Sequence, residues 1–259
     1  MVKLNINIED LFSKELTVDE AYECFNETIG SVESEEYRLN LETLFEYAVA
    51  TGGSLFTKIR VEETNSLLEM CELYLFQWFK KYVDDRENPA LQRPLKVYGE
   101  RDSALMQRVA TNTGDDEETL EKYLFGHFVY MSAENMNGAI LEEYLSEVLE
   151  PYGWYWCAGS IYRAVDFCYL SQDNIILLQV KNKYNTENSS SSAIRAGTEI
   201  KKWNRLKKPR VATGLDIPIP NWRALTELIN ADDILLELLT EENYLEYIRM
   251  NSTRYLDSL

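Results

Sequence analysis

IYRAVDFCYLSQDNIILLQVKNKYNTENSSSSAIRAGTEIKKWNRLKKPR, residues 161–210, is the stretch on which the reading of this chain turns. Two apolar runs come first. Residues 164–170 carry one acid, Asp166, and a four-residue turn (residues 171–174) follows. Residues 175–181 then read Ile-Ile-Leu-Leu-Gln-Val-Lys. Their near-continuous apolar character predicts a strand buried on both faces. The end of that strand breaks the pattern. Period-two alternation puts Gln179, Lys181 and Lys183 on one face and Leu178, Val180 and Asn182 on the other. A buried ammonium is costly unless it is paired. An interior strand ending in two same-side lysines therefore needs an acid beside it, and Asp166 on the neighbouring strand is the expected one.

The same residues suit phosphate chemistry. A carboxylate and an amide oxygen are ligands of the kind Mg²⁺ prefers, and a nearby lysine can orient a water toward a phosphate. Asp166, Gln179 and Lys181 are the candidate catalytic residues, with Asp166 and Gln179 as metal ligands. An amide at 179 brings no charge, so a further carboxylate is expected. Glu142 is the first candidate for the catalytic and metal-binding set, on a predicted helix whose apolar face is Ile140, Leu141, Tyr144, Leu145 and Val148; Glu143 is the second, with Glu143 and Glu147 pointing further away. The spacing D-x(12)-Q-x-K is short and also fits a plain salt bridge at a sheet end.

After the strand, residues 183–192 are polar and lead into a basic segment. Ser191 or Ser192 can cap a helix over residues 193–206. In that helix Ile194, Ile200, Trp203 and Leu206 pack inward and Arg195, Thr198, Lys202 and Arg205 face out. Serine, asparagine and basic side chains next to a phosphate-cutting site can contact DNA backbone or base edges. The candidates are Lys183, Asn185, Asn188, Ser189, Ser190, Ser191, Ser192, Arg195, Thr198, Lys201, Lys202 and Arg205; the competing reading is a solvated basic helix. Residues 181–210 hold nine Lys or Arg against two Glu, an excess of seven positive charges. The whole chain has a net charge of −18, so the remaining residues carry −25. An acidic protein repels nucleic acid unless its positive charge is concentrated, as it is here.

Other features narrow the class. A single histidine, His127, argues against zinc hydrolases and histidine triads; it is expected as a packed residue. Four cysteines without metal-ligand spacing read as reduced thiols partly in the core. No apolar run approaches the length of a membrane span, and the start has no basic region followed by an apolar core. A cytoplasmic protein is expected. Residues 1–100 look helical and acidic: Thr17 and Glu20 form a capping box, helices are predicted over 35–50 and 65–83, and Gly52-Gly53 stops the first of these. Residues 154–157 read as a short strand, 211–213 as a further one, 222–229 as a helix, 233–239 as strand or helix, and Thr240 as the cap of a last helix over 241–250.

The pattern N-x-E-N-S-S-S-S-x-I-R-x-G-T-x-I-x-K-W, directly after Gln179-Val180-Lys181-Asn182, resembles the SinI-type family of type II restriction endonucleases. The likeness covers roughly residues 137–206 and is most specific over 179–203. It implies an α/β fold with a PD-(D/E)xK nuclease-like mixed central sheet flanked by helices. A helical N-terminal subdomain (1–100) and a catalytic core (101–259) are expected. It further implies Mg²⁺-dependent cleavage of double-stranded DNA at a short sequence, a companion cytosine DNA methyltransferase and, by analogy with type II enzymes, a homodimer. The family's eponym reads GG(A/T)CC, and a site of that kind is the expectation here. The rival readings are a less specific nuclease of the same fold, a catalytically inactive nuclease fold, and an acidic DNA mimic.

Overall fold

The computed structural model describes residues 2–97, 99–183, 199–209, 217–253 and 256–258, the last three by backbone alone. In chain order the elements are β1 (Lys3–Ile6), α1 (Ile8–Phe12), α2 (Val18–Thr28), α3 (Glu35–Ala50), β2 (Ile59–Glu62), α4 (Leu67–Glu87), β3 (Leu95–Val97), α5 (Ser103–Thr113), α6 (Glu117–Leu149), β4 (Trp154–Trp156), β5 (Phe167–Leu170), β6 (Ile175–Lys183), β7 (Lys201–Lys207), β8 (Ile219–Pro220), α7 (Trp222–Ile229), α8 (Asp233–Leu238), α9 (Glu241–Asn251) and β9 (Leu256–Ser258). Local chemistry sets many of these ends. Thr17 Oγ1 accepts the Glu20 N–H while Glu20 accepts the Thr17 N–H, so the expected capping box opens α2. Ser34, Ser66 and Thr240 each cap the helix that follows. Residues 233–238, open between strand and helix in the sequence, are helical behind the Asp232 cap.

The contacts group the chain into two compact units, Met1–Asn88 with Leu145–Leu239, and Pro89–Tyr144 with Thr240–Leu259. The expected 1–100 and 101–259 division follows the order of the sequence; these units interleave along it.

The first unit holds the five-stranded sheet, in the order β4-β5-β6-β7-β8. β4, β5 and β6 are antiparallel neighbours, β6 and β7 run parallel, and β8 returns antiparallel. The expected mixed sheet flanked by helices is present. Two expectations about its strands change. The run at 164–170 is a strand only from Phe167, because Ala164 takes a positive φ of 59° and turns the chain before it can pair. And residues 201–207, expected as the end of a basic helix, form β7, with Trp203 and Arg205 buried at alternate positions. A neighbour's ladder outweighs helix propensity there. The first part of the expected helix and the expected strand at 211–213 lie outside the described residues.

The helices of this unit are built around α4, whose Met70, Cys71, Tyr74, Leu75, Trp78, Phe79 and Tyr82 are buried. Phe56 meets Tyr74 and Trp78 edge-on, and Phe25 stacks on Phe45 at 4.4 Å. α4 also holds the segment that leads to β5. Trp78 Nε1 donates to the Ile161 carbonyl at 3.1 Å, and Asp85 accepts the Gly159 N–H at 2.8 Å. Arg86 pairs with Glu150 and lies over the rings of Tyr37, Tyr82 and Trp156. All four cysteines are buried and free, as expected.

In the second unit β3 and β9 pair in parallel. Thr253 N–H donates to the Leu91 carbonyl at 3.0 Å, and the Tyr144 ring meets those of Tyr244 and Tyr247, each at 5.4 Å. Among the described residues no helix is long and apolar enough to cross a membrane.

Gly159 gives a direct test of the α4 anchor. It has φ +70°, and a Cβ there would lie 2.2 Å from the Lys81 carbonyl oxygen. Gly159→Ala is expected to destabilise the fold by about 3 kcal/mol, a drop of roughly 6–12 °C in a thermal melt.

Candidate active site

Asp166 sits at the turn into β5 and is fastened to β6 twice. Its own N–H donates to the Leu178 carbonyl at 2.8 Å, and its Oδ2 accepts the Val180 N–H at 2.6 Å. The side chain is 13% exposed. Burial pushes the pKa of its carboxyl up, against the opposing pull of the Lys181 ammonium and the Val180 N–H. Lys181 Nζ lies 3.9 Å from Asp166 Oδ2, with its side chain 27% exposed. That separation makes an ion pair but is too long for a direct hydrogen bond. The ammonium can therefore donate to a third group, such as a water, while the carboxylate holds it in place.

The sequence expectation of an Asp166–Lys181 pair across neighbouring strands is met. Gln179 is 2% exposed, on the strand face that also carries Lys181. Register extends this face onto β7: Gln179 pairs with Lys202, and Lys181 with Asn204. Side chains of paired residues share a face. Asn204 is not marked by any motif of the sequence; its Oδ1 is buried and has no hydrogen-bond partner among the described residues. Once 201–207 is read as a strand parallel to β6, the period-two pattern of Lys202, Asn204 and Leu206 points to it.

Behind this face, Asn182 and Arg205 meet. Arg205 Nε donates to Asn182 Oδ1 at 2.7 Å, and Arg205 is only 8% exposed. The expected outward orientation of Arg205 is therefore corrected: strand alternation, rather than helical rotation, turns it inward beside Trp203. On the far side, Trp203 Nε1 donates to the Asn221 carbonyl at 2.9 Å and its ring packs on Trp222 at 5.1 Å, which sets α7 against the sheet. Lys201 is exposed, Lys202 and Lys183 half-buried. Asn185, Asn188, Ser189, Ser190, Ser191, Ser192, Arg195 and Thr198 lie outside the described residues.

The two candidate extra acids are on α6, in the part that belongs to the second unit. The apolar face expected for that helix is buried as read, from Ile140 to Val148. Glu142 is half-buried. Glu143, expected to point away, is buried, and it accepts the Ala90 N–H at the start of a short turn; the segment after Pro89 closes over it. Among the described residues no three His, Cys, Asp or Glu side chains converge as a metal site. The donors next to Lys181 fit a hard divalent cation in kind, being oxygens, but supply one carboxylate between them. His127, expected to be packed, is exposed in the second unit.

The model of the SinI restriction endonuclease family matches residues 48–249, well beyond the 137–206 that the motif alone marks. The chain is 43% identical over 134 residues to the type II restriction enzyme Eco47I of Escherichia coli, covering 51% of this chain and 53% of that one. It is 44% identical over 120 residues to the type II restriction enzyme SinI of Salmonella infantis, covering 46% and 49%. The aligned region thus spans about half the length of the curated relatives it matches.

The two faces of β7 should respond differently to truncation. Arg205→Ala, which strips a buried charged donor from Asn182, is expected to cost about 2–3 kcal/mol in denaturant unfolding. Lys202→Ala is expected to change stability by less than about 0.5 kcal/mol.

Proposed function

Because the chain belongs to the SinI restriction endonuclease family, we propose that it is a type II restriction endonuclease. It hydrolyses phosphodiester bonds in double-stranded DNA at a short specific sequence of the GG(A/T)CC kind, with Mg²⁺ as cofactor, from a PD-(D/E)xK-like core. The observation that supports this best is the Asp166–Lys181 pair at 3.9 Å beside Gln179, at the join of β5 and β6. The basic segment 181–210 follows it in a chain of net charge −18 and supplies the positive charge that DNA requires.

Asp166 and Gln179 offer oxygen ligands, with one carboxylate between them; Glu142, the further acid that the sequence suggests, belongs to the second unit. Bound there, Mg²⁺ would supply positive charge to the phosphate and leaving oxygen and favour deprotonation of a water. Asp166 does its part while fixed by the Val180 N–H, so its carboxylate needs little reorganisation. Lys181 donates to the attacking water, orients it and offsets the negative charge that develops on it. Lys183, Lys201 and Lys202 contact phosphates, as do Asn185, Asn188, Ser189, Ser190, Ser191 and Ser192 with Arg195 and Thr198, which also reach base edges. The protein works in the cytoplasm as a homodimer, each copy meeting one half of a two-fold site. A cytosine DNA methyltransferase protects the same sequence in the host.

Incubation with unmethylated phage DNA tests the reading. Wild type with Mg²⁺ is expected to give discrete fragments; omission of the metal abolishes them. Lys181→Ala is expected to cut at least about 100-fold more slowly while still binding DNA. Failure of the wild type to cut DNA rich in candidate sites would contradict the proposal. Together with no DNA affinity at low salt, it would favour the acidic mimic that the net charge of −18 invites.

A further inference from the structure

The second unit contains a helix that buries nothing. α5 has no buried residue, although Leu105, Met106 and Val109 are apolar. An isolated helix of 11 residues is marginal in water, so α5 needs more cover than α6 gives it. Arg101, just before α5, pairs with Glu117 and Glu121 of α6 and holds the two helices together at one end. Between them lies an apolar groove of about 290 Å³, with Met106, Leu120, Leu124 and Phe128 along it. Around it the apolar surface continues outward. Leu105 (65% exposed) and Val109 lie one turn apart on α5; Tyr123, Tyr130 (69%) and Met131 follow at helical spacing on α6. His127, the only histidine, is exposed within the same stripe and lines the groove.

We propose that this α5–α6 face is where two copies of the chain associate, two helices from each forming a four-helix contact about a two-fold axis. The homodimer itself rests on the functional reading above; the choice of surface does not. Taking roughly 150–250 Å² for each large side chain, the exposed parts of Leu105, Val109, Tyr123, Tyr130 and Met131 come to about 400–650 Å², to which His127 and the groove lining add; a standard interface buries roughly 800 Å² per partner. The rim favours a second copy over DNA. Glu100, Asp102 and Glu117, the last paired with Arg101, are exposed around the apolar centre and disfavour phosphate. Arg108 is exposed and has no ion-pair partner among the described residues, so the rim carries both signs and can pair with itself across a two-fold axis.

Sedimentation of the full chain without DNA tests this. Wild type is expected to be a dimer at micromolar concentration. Leu105→Glu and Tyr130→Glu, each placing a charge on the stripe, are expected to weaken it about 100-fold or more. Both sites are already exposed, so circular dichroism and melting temperature should stay as in wild type. Phe125→Glu, on the opposite side of α6, is expected to leave the dimer intact. A monomeric wild type would overturn the proposal and assign the face to another occupant. A dimer unaffected by both stripe variants, or one that Phe125→Glu disrupts equally, would overturn the choice of surface. DNA cleavage by the same preparations reads the nuclease proposal separately: a monomer that cuts contradicts the interface and the homodimer but leaves the nuclease standing, and a dimer that does not cut contradicts only the nuclease.

Discussion

The structure around the candidate site depends on one buried carboxylate. Asp166 is held by the Val180 N–H at 2.6 Å and faces Lys181 at 3.9 Å. An acid in that position is costly without partners, and the surrounding elements supply them. β6 provides both the N–H and the ammonium. The positive-φ turn at Ala164 aims the chain so that Asp166 reaches β6 before β5 begins. α4 holds that turn through Trp78, Asp85 and the tight contact at Gly159. The helical first part of the chain is thus a scaffold for the segment that carries the acid.

Much of this was legible in the sequence because it is local. Capping residues and apolar periodicity place α2, α3, α7 and α9 closely, since a helix end is decided by a few adjacent residues. The pairing of Asp166 with Lys181 was legible for a different reason: two lysines on an interior strand require an acid, and one stood at the right distance. What failed was decided by distant partners. Residues 201–207 have no strong strand signal of their own; they are a strand because β6 offers a parallel edge beside them. Helical periodicity would turn Arg205 outward, whereas it is buried against Asn182. β1 and β2 pair across more than fifty residues, and nothing in either short run announces the other. Glu143 is buried because the Pro89 segment folds over it, which the pattern of α6 alone does not reveal.

The electrostatics of the chain follow the same division. Its acid is spread over the helices, while the positive excess lies in residues 181–210, on and after the strand that bears Lys181. An acidic body limits non-specific attraction to DNA, so the proposed binding falls to a short basic segment. The site itself has one carboxylate beside two neighbouring lysines, Lys181 and Lys202. That balance is short of negative charge for a divalent cation, so Asp166 has no substitute in the proposed catalysis.

Asp166 is therefore the residue to remove. The most direct measurement is the single-turnover cleavage rate of a duplex carrying the recognised site, across a series of Mg²⁺ concentrations, for wild type and Asp166→Asn. The amide keeps the shape and can still accept the Val180 N–H. A rate at least about 100-fold lower is expected at every metal concentration, with folding and DNA binding retained. Cleavage by Asp166→Asn at the wild-type rate, with the same dependence on Mg²⁺, would contradict the proposed role of Asp166.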